Sequence, residues 1–218
     1  MLVDLHMHEA TYSSDSFLSL EEIATVARER GLNGICITDH DSMGLRDTAD
    51  AFARETGFPI FTGVEYYSLQ GDIVAFGIDD IPKGRVSAQD FIDHVKRQGG
   101  VCFAAHPFRD NKRGLEEHLL EVRGLDGIEA FNGSTSMEAN LEALEHCRIL
   151  GIQPVGASDC HVLRKIGVYA TILPDDVFEI GDFVHSFRKG RCRPAGYANG
   201  VYIDLLADFP SYLKSMPR

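Results

Sequence analysis

His6 and His8 stand two residues apart at the end of an apolar start, in Met1-Leu2-Val3-Asp4-Leu5-His6-Met7-His8. On a β-strand, side chains at i and i+2 share one face, so the two imidazoles point the same way and make half a metal site. Neutral imidazole binds Zn, Mn or Fe, and a neighbouring carboxylate such as Asp4 can fix the ring tautomer. A lone His-x-His is more often two polar residues at a loop. Its recurrence with other donors down the chain is what carries weight.

Those donors are His40 in Thr38-Asp39-His40-Asp41, Glu65 in Gly63-Val64-Glu65-Tyr66, His106 before Pro107, Glu129 and Asn132, and Asp159 and His161 in Ser158-Asp159-Cys160-His161. Each lies at or just past the C-terminal end of an expected strand. In a closed β/α barrel these ends converge on one mouth, where active sites of that architecture sit. Zinc takes about four ligands, so eight or nine candidates imply two or three divalent ions, of Zn, Mn or Fe. Five of the nine histidines belong to this set. The others, His94, His118, His146 and His185, fall in expected helices and read as surface residues.

The elements that must position these groups alternate along the chain. Ser19-Leu20-Glu21-Glu22 has the spacing of a capping box, and Leu20, Ile23, Ala24 and Ala27 form a helical apolar stripe ending at Gly31. Strands are expected at Gly34 to Thr38, Pro59 to Ser68, Ile73 to Ile78, Val101 to Ala105, Leu125 to Phe131, Ile152 to Ala157 and Val168 to Leu173. Gly71-Asp72 marks a turn. Further helices are expected at Gly44 to Thr56, Ser87 to Gln98, Lys112 to Val122, Met137 to Leu150 and Val177 to Arg188. Strands and helices in alternation imply βαβ units and a parallel sheet. The tail after Arg191 shows no strong periodicity. The absence of repeats or linkers makes one domain over residues 1 to 218 the expected organisation.

With 218 residues, 44% hydrophobic and 25% charged, the composition is that of a globular α/β protein. No run of eighteen apolar residues suggests a membrane span, no leader pattern opens the chain, and five cysteines without framework spacing fit a reduced, cytoplasmic thiol inventory. A net charge of −12 argues against a general nucleic-acid surface. Metal ions in an acidic pocket would still allow an anionic substrate.

Taken together, Asp4-Leu5-His6-Met7-His8, Ser14-Asp15, Thr38-Asp39-His40, Gly63-Val64-Glu65, Ala105-His106-Pro107-Phe108-Arg109 and Ser158-Asp159-Cys160-His161 resemble the PHP (polymerase and histidinol phosphatase) family over nearly the whole chain. The resemblance implies an α/β fold, a distorted (β/α)7 barrel, and up to three ions. One would take His6, His8, Glu65 and Asp159, and a second Asp15, His40 and His161. The third would share Glu65 and take His106 and a group near Asn132, where many relatives place histidine and this chain offers Asn132 or Glu129.

Such a centre implies hydrolysis of a small phosphorylated metabolite or nucleotide by hydroxide formed from a bridging water of lowered pKa. Arg109 is the expected phosphate contact, with Arg164 or Lys165 as further candidates, and Asp41 is a candidate proton donor to the leaving group. Other metal-dependent hydrolysis, of amides or nucleic-acid ends, and a degenerate scaffold are the alternatives. Cys160 lacks the partners of a thiol nucleophile, and no Gly-x-Ser-x-Gly elbow supports a serine hydrolase. The segments between motifs are too short for an inserted lid, so the expectation is an open site covered, if at all, by the tail around Tyr197 to Tyr212 or by a partner. Oligomeric state is not legible.

Overall fold

The computed structural model describes residues 1–215. Its strands are β1 (Leu2–Asp4), β2 (Gly34–Ile37), β3 (Ile60–Tyr67), β4 (Asp72–Phe76), β5 (Val101–Ala104), β6 (Gly127–Asn132), β7 (Pro154–Ala157), β8 (Tyr169–Ile172), β9 (Arg193–Ala198) and β10 (Val201–Asp204). The helices are α1 (Leu20–Glu29), α2 (Arg46–Thr56), α3 (Ala88–Arg97), α4 (Met137–Leu150), α5 (Ile180–Arg188) and α6 (Phe209–Ser215). Local chemistry accounts for their ends. Ser19 and Glu22 complete the capping box of α1, and Gly57 and Gly151 close α2 and α4 with φ of 66°, a left-handed turn that glycine adopts without a Cβ penalty.

All ten strands form one sheet in the order β10-β9-β8-β1-β2-β3-β4-β5-β6-β7. The expected run of parallel β/α units is only partly present. β1, β2 and β3 are parallel, as are β5, β6 and β7, but β4 runs antiparallel to both β3 and β5, and β8 runs antiparallel to β1. The reason is the tight turn after Tyr67, which is too short for a helical crossover and folds β3 and β4 into a hairpin.

The sheet curls until β7 reaches β1. Past the strand ends Met7 bridges Cys160, and the Asp159 N–H donates to the His6 carbonyl at 2.8 Å. Lower down, the Thr171 hydroxyl donates to the Gly156 carbonyl and accepts its N–H, linking β8 to β7 through a side chain. Inside the curl lie Phe61, Phe76 and Phe103, packed against Phe183 and Phe187 of α5. Since α5 lies beside Gly77, at the finish of the antiparallel β4, it plugs the end opposite the mouth. Each fully buried phenyl ring contributes about 1.5–3 kcal/mol. Outside, α1 and α2 cover β2 and β3, while α3 and α4 cover β5 and β6.

Two further expectations are corrected. Residues 112 to 122 hold only a short 3-10 turn, Glu116–Leu120, not a full helix. The tail is built into the sheet: β9 pairs with β8, an Asn199-Gly200 turn leads to β10, and Tyr212 packs against Gly196 and Tyr169. It therefore braces the far side of β8. No helix among the described residues is long and apolar enough to cross a membrane.

Candidate metal centre

The strand ends deliver the donors to one place. His6 and His8 follow β1, and their Nε2 atoms lie 3.1 Å apart. Asp159, just past β7, approaches His8 Nε2 to 3.2 Å and His6 Nε2 to 3.7 Å. Glu65, inside β3, spans the pair, with Oε1 3.5 Å from His6 Nε2 and Oε2 3.5 Å from His8 Nε2. All four residues are at most 1% exposed. Three of the turns that aim groups at the mouth use left-handed backbone in non-glycine residues: Asp41 (φ 49°), His106 (φ 28°) and Asp159 (φ 48°). Such conformations persist where surrounding structure over-determines them, and they cluster at functional sites.

A second set sits nearer solvent. His8, His40 and His161 each present a nitrogen within 4.8 Å of the others. Asp15 reaches His40 Nε2 at 3.2 Å and His161 Nε2 at 3.4 Å. Ser13 holds this set from behind, its hydroxyl 3.1 Å from His8 Nδ1 and donating to Asp39 at 2.8 Å.

In the third set the two alternatives, Asn132 and Glu129, separate. The Asn132 amide oxygen already accepts from Arg109 Nη2 at 2.7 Å, the Ser134 N–H at 2.8 Å and the Thr135 hydroxyl at 3.0 Å. Its amide nitrogen donates to Glu129 and Asp159 at 3.0 and 3.2 Å. An oxygen with three donors has no lone pair left for an ion, so Asn132 is a hub that ties Arg109 to Asp159. Glu129 stands with His6 and His106 in a buried group whose donor atoms lie within 4.8 Å of one another, its Oε1 3.2 Å from His6 Nδ1 and its Oε2 accepting the His106 N–H at 2.6 Å. That is the carboxylate-to-histidine contact that orients a ligating imidazole.

His106 Nε2 instead lies 2.9 Å from Glu65 Oε1 and 3.9 Å from Asp72 Oδ2. Asp72, fully buried, was not foreseen, although the sequence shows a carboxylate leading the apolar run Ile73-Val74-Ala75-Phe76. In a parallel strand that first residue would lie far from the mouth; because β4 is antiparallel, it lies at the mouth. Arg113 forks onto it, with Nε and Nη2 donating at 2.7 and 2.8 Å.

The remaining sequence candidates separate. Arg109 lies at the centre, contacting Asp159, Asn132 and Thr135. Asp41 is exposed and its carboxylate accepts the Tyr67 N–H at 2.9 Å, so it braces β3 in this arrangement. The side chain of Arg164 is exposed and makes no ion pair among the described residues, and Lys165 donates to the Gly133 carbonyl. Cys160 is fully buried, and burial pushes its thiol far up, as a packing residue requires.

The electrostatics fit bound cations. Burial would raise the carboxyls of Glu65 and Asp159, yet charge on His6 and hydrogen bonds from neighbouring imidazoles hold both well below their usual range. For His40, burial opposes protonation, but Glu65 and Asp15 outweigh it and bring the ring up to about 9. Burial lowers His8 to about 4, leaving it a neutral ligand at pH 7. His40 Nδ1 and Glu65 Oε2 lie 2.7 Å apart, the ion pair through which Glu65 favours the charged ring. Imidazole and carboxylate without thiolate suits Zn, Mn or Fe.

Known proteins resemble this chain in sequence and in fold. Residues 137–192 match a family model described as PHP-associated. An uncharacterized protein of Methanocaldococcus jannaschii is 30% identical over 142 residues, covering 61% of this chain and 82% of its own. A protein of Caldicellulosiruptor bescii named a probable phosphatase is 25% identical over 204 residues, covering 76% and 82%. Among solved structures, an amidohydrolase from Chromobacterium violaceum with bound sulfate shares the fold, with a TM-score of 0.66 at 21% identity over 85% of this chain and 96% of its own. So does a lesion-specific endonuclease from Pyrococcus furiosus, with a TM-score of 0.63 at 15% identity over 100% and 67%.

Proposed function

The chain belongs to the PHP family, and from that premise we propose that it is a metal-dependent phosphoesterase that cleaves a small phosphorylated metabolite or nucleotide. The observation that carries the reading is the convergence of His6, His8, Glu65 and Asp159 in one buried set, adjoined by His40, His161 and Asp15 in a second. These two sets are complete. In the third, Asp72 is already neutralised by Arg113, so the centre holds about two ions more firmly than a third. The presence of all these donors opposes a degenerate scaffold. The five free cysteines, all buried, suit a cytoplasmic protein.

Divalent ions bound there would supply the Lewis acidity that activates water near neutral pH and neutralises charge on phosphoryl oxygens. The chain does the rest. Glu65 binds across both sets, Glu129 and Ser13 fix the rings of His6 and His8, and Asn132 fixes Arg109. Arg109 spends Nε on Thr135 and Nη2 on Asn132 and Asp159, which leaves Nη1 to take a phosphate oxygen. His40 and His161 stand at the opening, each about a quarter exposed.

The test is a panel of para-nitrophenyl phosphate, bis-para-nitrophenyl phosphate and a para-nitroanilide amide, assayed after loading with Mn or Zn. Turnover of the monoester, lost on chelation and in His8→Ala, is expected. Hydrolysis of the amide with no phosphate ester cleaved would overturn the reading.

A further inference from the structure

Beside the metal centre stands a basic group that the proposed chemistry does not use. Arg113 is held in three ways. Its carbonyl accepts the Asp72 N–H at 2.7 Å, its Nε and Nη2 fork onto the Asp72 carboxylate, and its guanidinium lies 4.4 Å from the centre of the Tyr67 ring. Arg85 lies over the same ring at 3.8 Å. Tyr67 is two residues beyond Glu65 on β3, so the two side chains share a face and the ring stands at the mouth. Asp72, which Arg113 grips, is within 4.8 Å of donor atoms of Glu65 and His106. The Nη1 atom of Arg113 has no protein partner among the described residues, and Arg85 makes no ion pair among them. Two guanidinium groups with free N–H donors thus border an otherwise acidic chain's metal centre.

We propose that Arg113 and Arg85, braced by Tyr67, form a second oxyanion subsite at the mouth, so that the substrate carries another phosphate or carboxylate besides the ester phosphate at the metals. The physical argument is that holding a cation rigid in advance removes most of the ordering cost of binding an anion to it. Asp72 supplies this for Arg113, and the Tyr67 ring supplies it for Arg85 through a cation–π contact. The Asp72 carboxylate alone needs only one of the two arginines; Arg85, which does not touch it, has no such structural duty. Which group enters the metal site rests on the phosphoesterase reading, but the presence of a second anion subsite does not.

Binding is therefore measured with phosphonates, which are not hydrolysed. The metal-loaded protein is titrated calorimetrically with propylphosphonate, with propane-1,3-bisphosphonate and its two- to six-carbon homologues, and with the matching phosphonocarboxylates. At least one doubly anionic ligand is expected to bind about tenfold or more tightly than propylphosphonate, the effect of a charge-assisted contact. The bisphosphonate and phosphonocarboxylate arms distinguish phosphate from carboxylate. In Arg85→Ala and Arg113→Lys that ratio is expected to fall at least fivefold, about a kcal/mol. A loss of both affinities together, with the ratio intact, would assign the arginines a structural role only and overturn the proposal. A ratio near one in the unmodified protein at every chain length would overturn it too. If phosphate esters prove not to be substrates while the ratio behaves as expected, the subsite stands and only the phosphoesterase reading fails.

Discussion

One carboxylate oxygen of Asp4 accepts the backbone N–H of Ser158 at 2.9 Å, and the other accepts that of Gly167 at 3.0 Å. Asp4 is fully buried two residues before His6, and Ser158 directly precedes Asp159. This pair sets the distance between the first and last donors of the buried set. Asp4→Ala would leave two buried N–H groups unpaired, at about 1–3 kcal/mol each, and free the Asp159 turn. A lower melting temperature and reduced bound metal are expected from thermal unfolding and metal analysis. A folded variant with full metal content would show that Asp4 does not set that spacing.

The same residue predicts a pH dependence of the chelated protein. Burial pushes the Asp4 carboxyl from 3.8 up to about 7, against the pull of its hydrogen bonds from Ser158 and Gly167. A raised acid binds a proton in the folded state that the unfolded chain has released, so stability falls as pH rises from about 4 to about 7. The loss is on the order of a few kcal/mol. In Asp4→Asn that part of the slope should vanish. Parallel denaturant-derived stability curves for the two proteins would contradict it.

Metal uptake should carry its own pH signature. In the metal-free protein His40 keeps its proton up to about 9 because Glu65 and Asp15 favour the charged ring despite burial. The stability it contributes is present below 6.5 and is lost as pH rises through about 9. An ion must displace that proton, so apparent affinity should strengthen up to about tenfold per pH unit between about pH 6 and 8, with proton release. Calorimetric Mn titrations in buffers of different ionisation enthalpy measure both. Affinity flat with pH would contradict a protonated His40.

Asn132 separates ligand from hub. Its oxygen is filled by protein donors, so Asn132→Ala should leave the ion count, about two per chain, unchanged. Turnover should drop about 10–100-fold, the usual effect of losing an outer contact to a metal site, because Arg109 and Asp159 lose their common anchor. Loss of an ion in this variant would make Asn132 a ligand after all.

The tail supports the sheet. Cutting after Arg191 removes β9, which pairs with β8 from Tyr169 to Ile172, and exposes Tyr169. An insoluble product or one lacking a cooperative thermal transition is expected. A folded truncate with an altered Michaelis constant would return the tail to the role of a lid.

Much of the site is legible because its signals are local. His-x-His, His106 before Pro107 and Asp-x-His each sit at a strand end, and Glu65 inside a strand, whose position follows from apolar runs and capping residues a few positions away. The motifs so placed carried the family and the α/β character. Even Asn199-Gly200, a strong hairpin signal, was available in the tail, though no periodicity beside it called attention to it.

The reversal of β8, the pairing of β4 with β5 and the partners that reach each lone pair were decided only by the tertiary structure. Asp72 joins the centre because β4 runs backwards, and no property of residues 72 to 76 taken alone reveals which end of a strand faces the mouth. Asn132 and Glu129 look like interchangeable ligands in sequence. Arg109, brought from another element, joins Ser134 and Thr135 on the Asn132 oxygen, while Glu129 meets His6 and His106 in a group that could hold an ion. A residue type states which bonds a side chain can make; the curl of the sheet, which sets Asp159 against His6 across the chain, determines which partners arrive to make them.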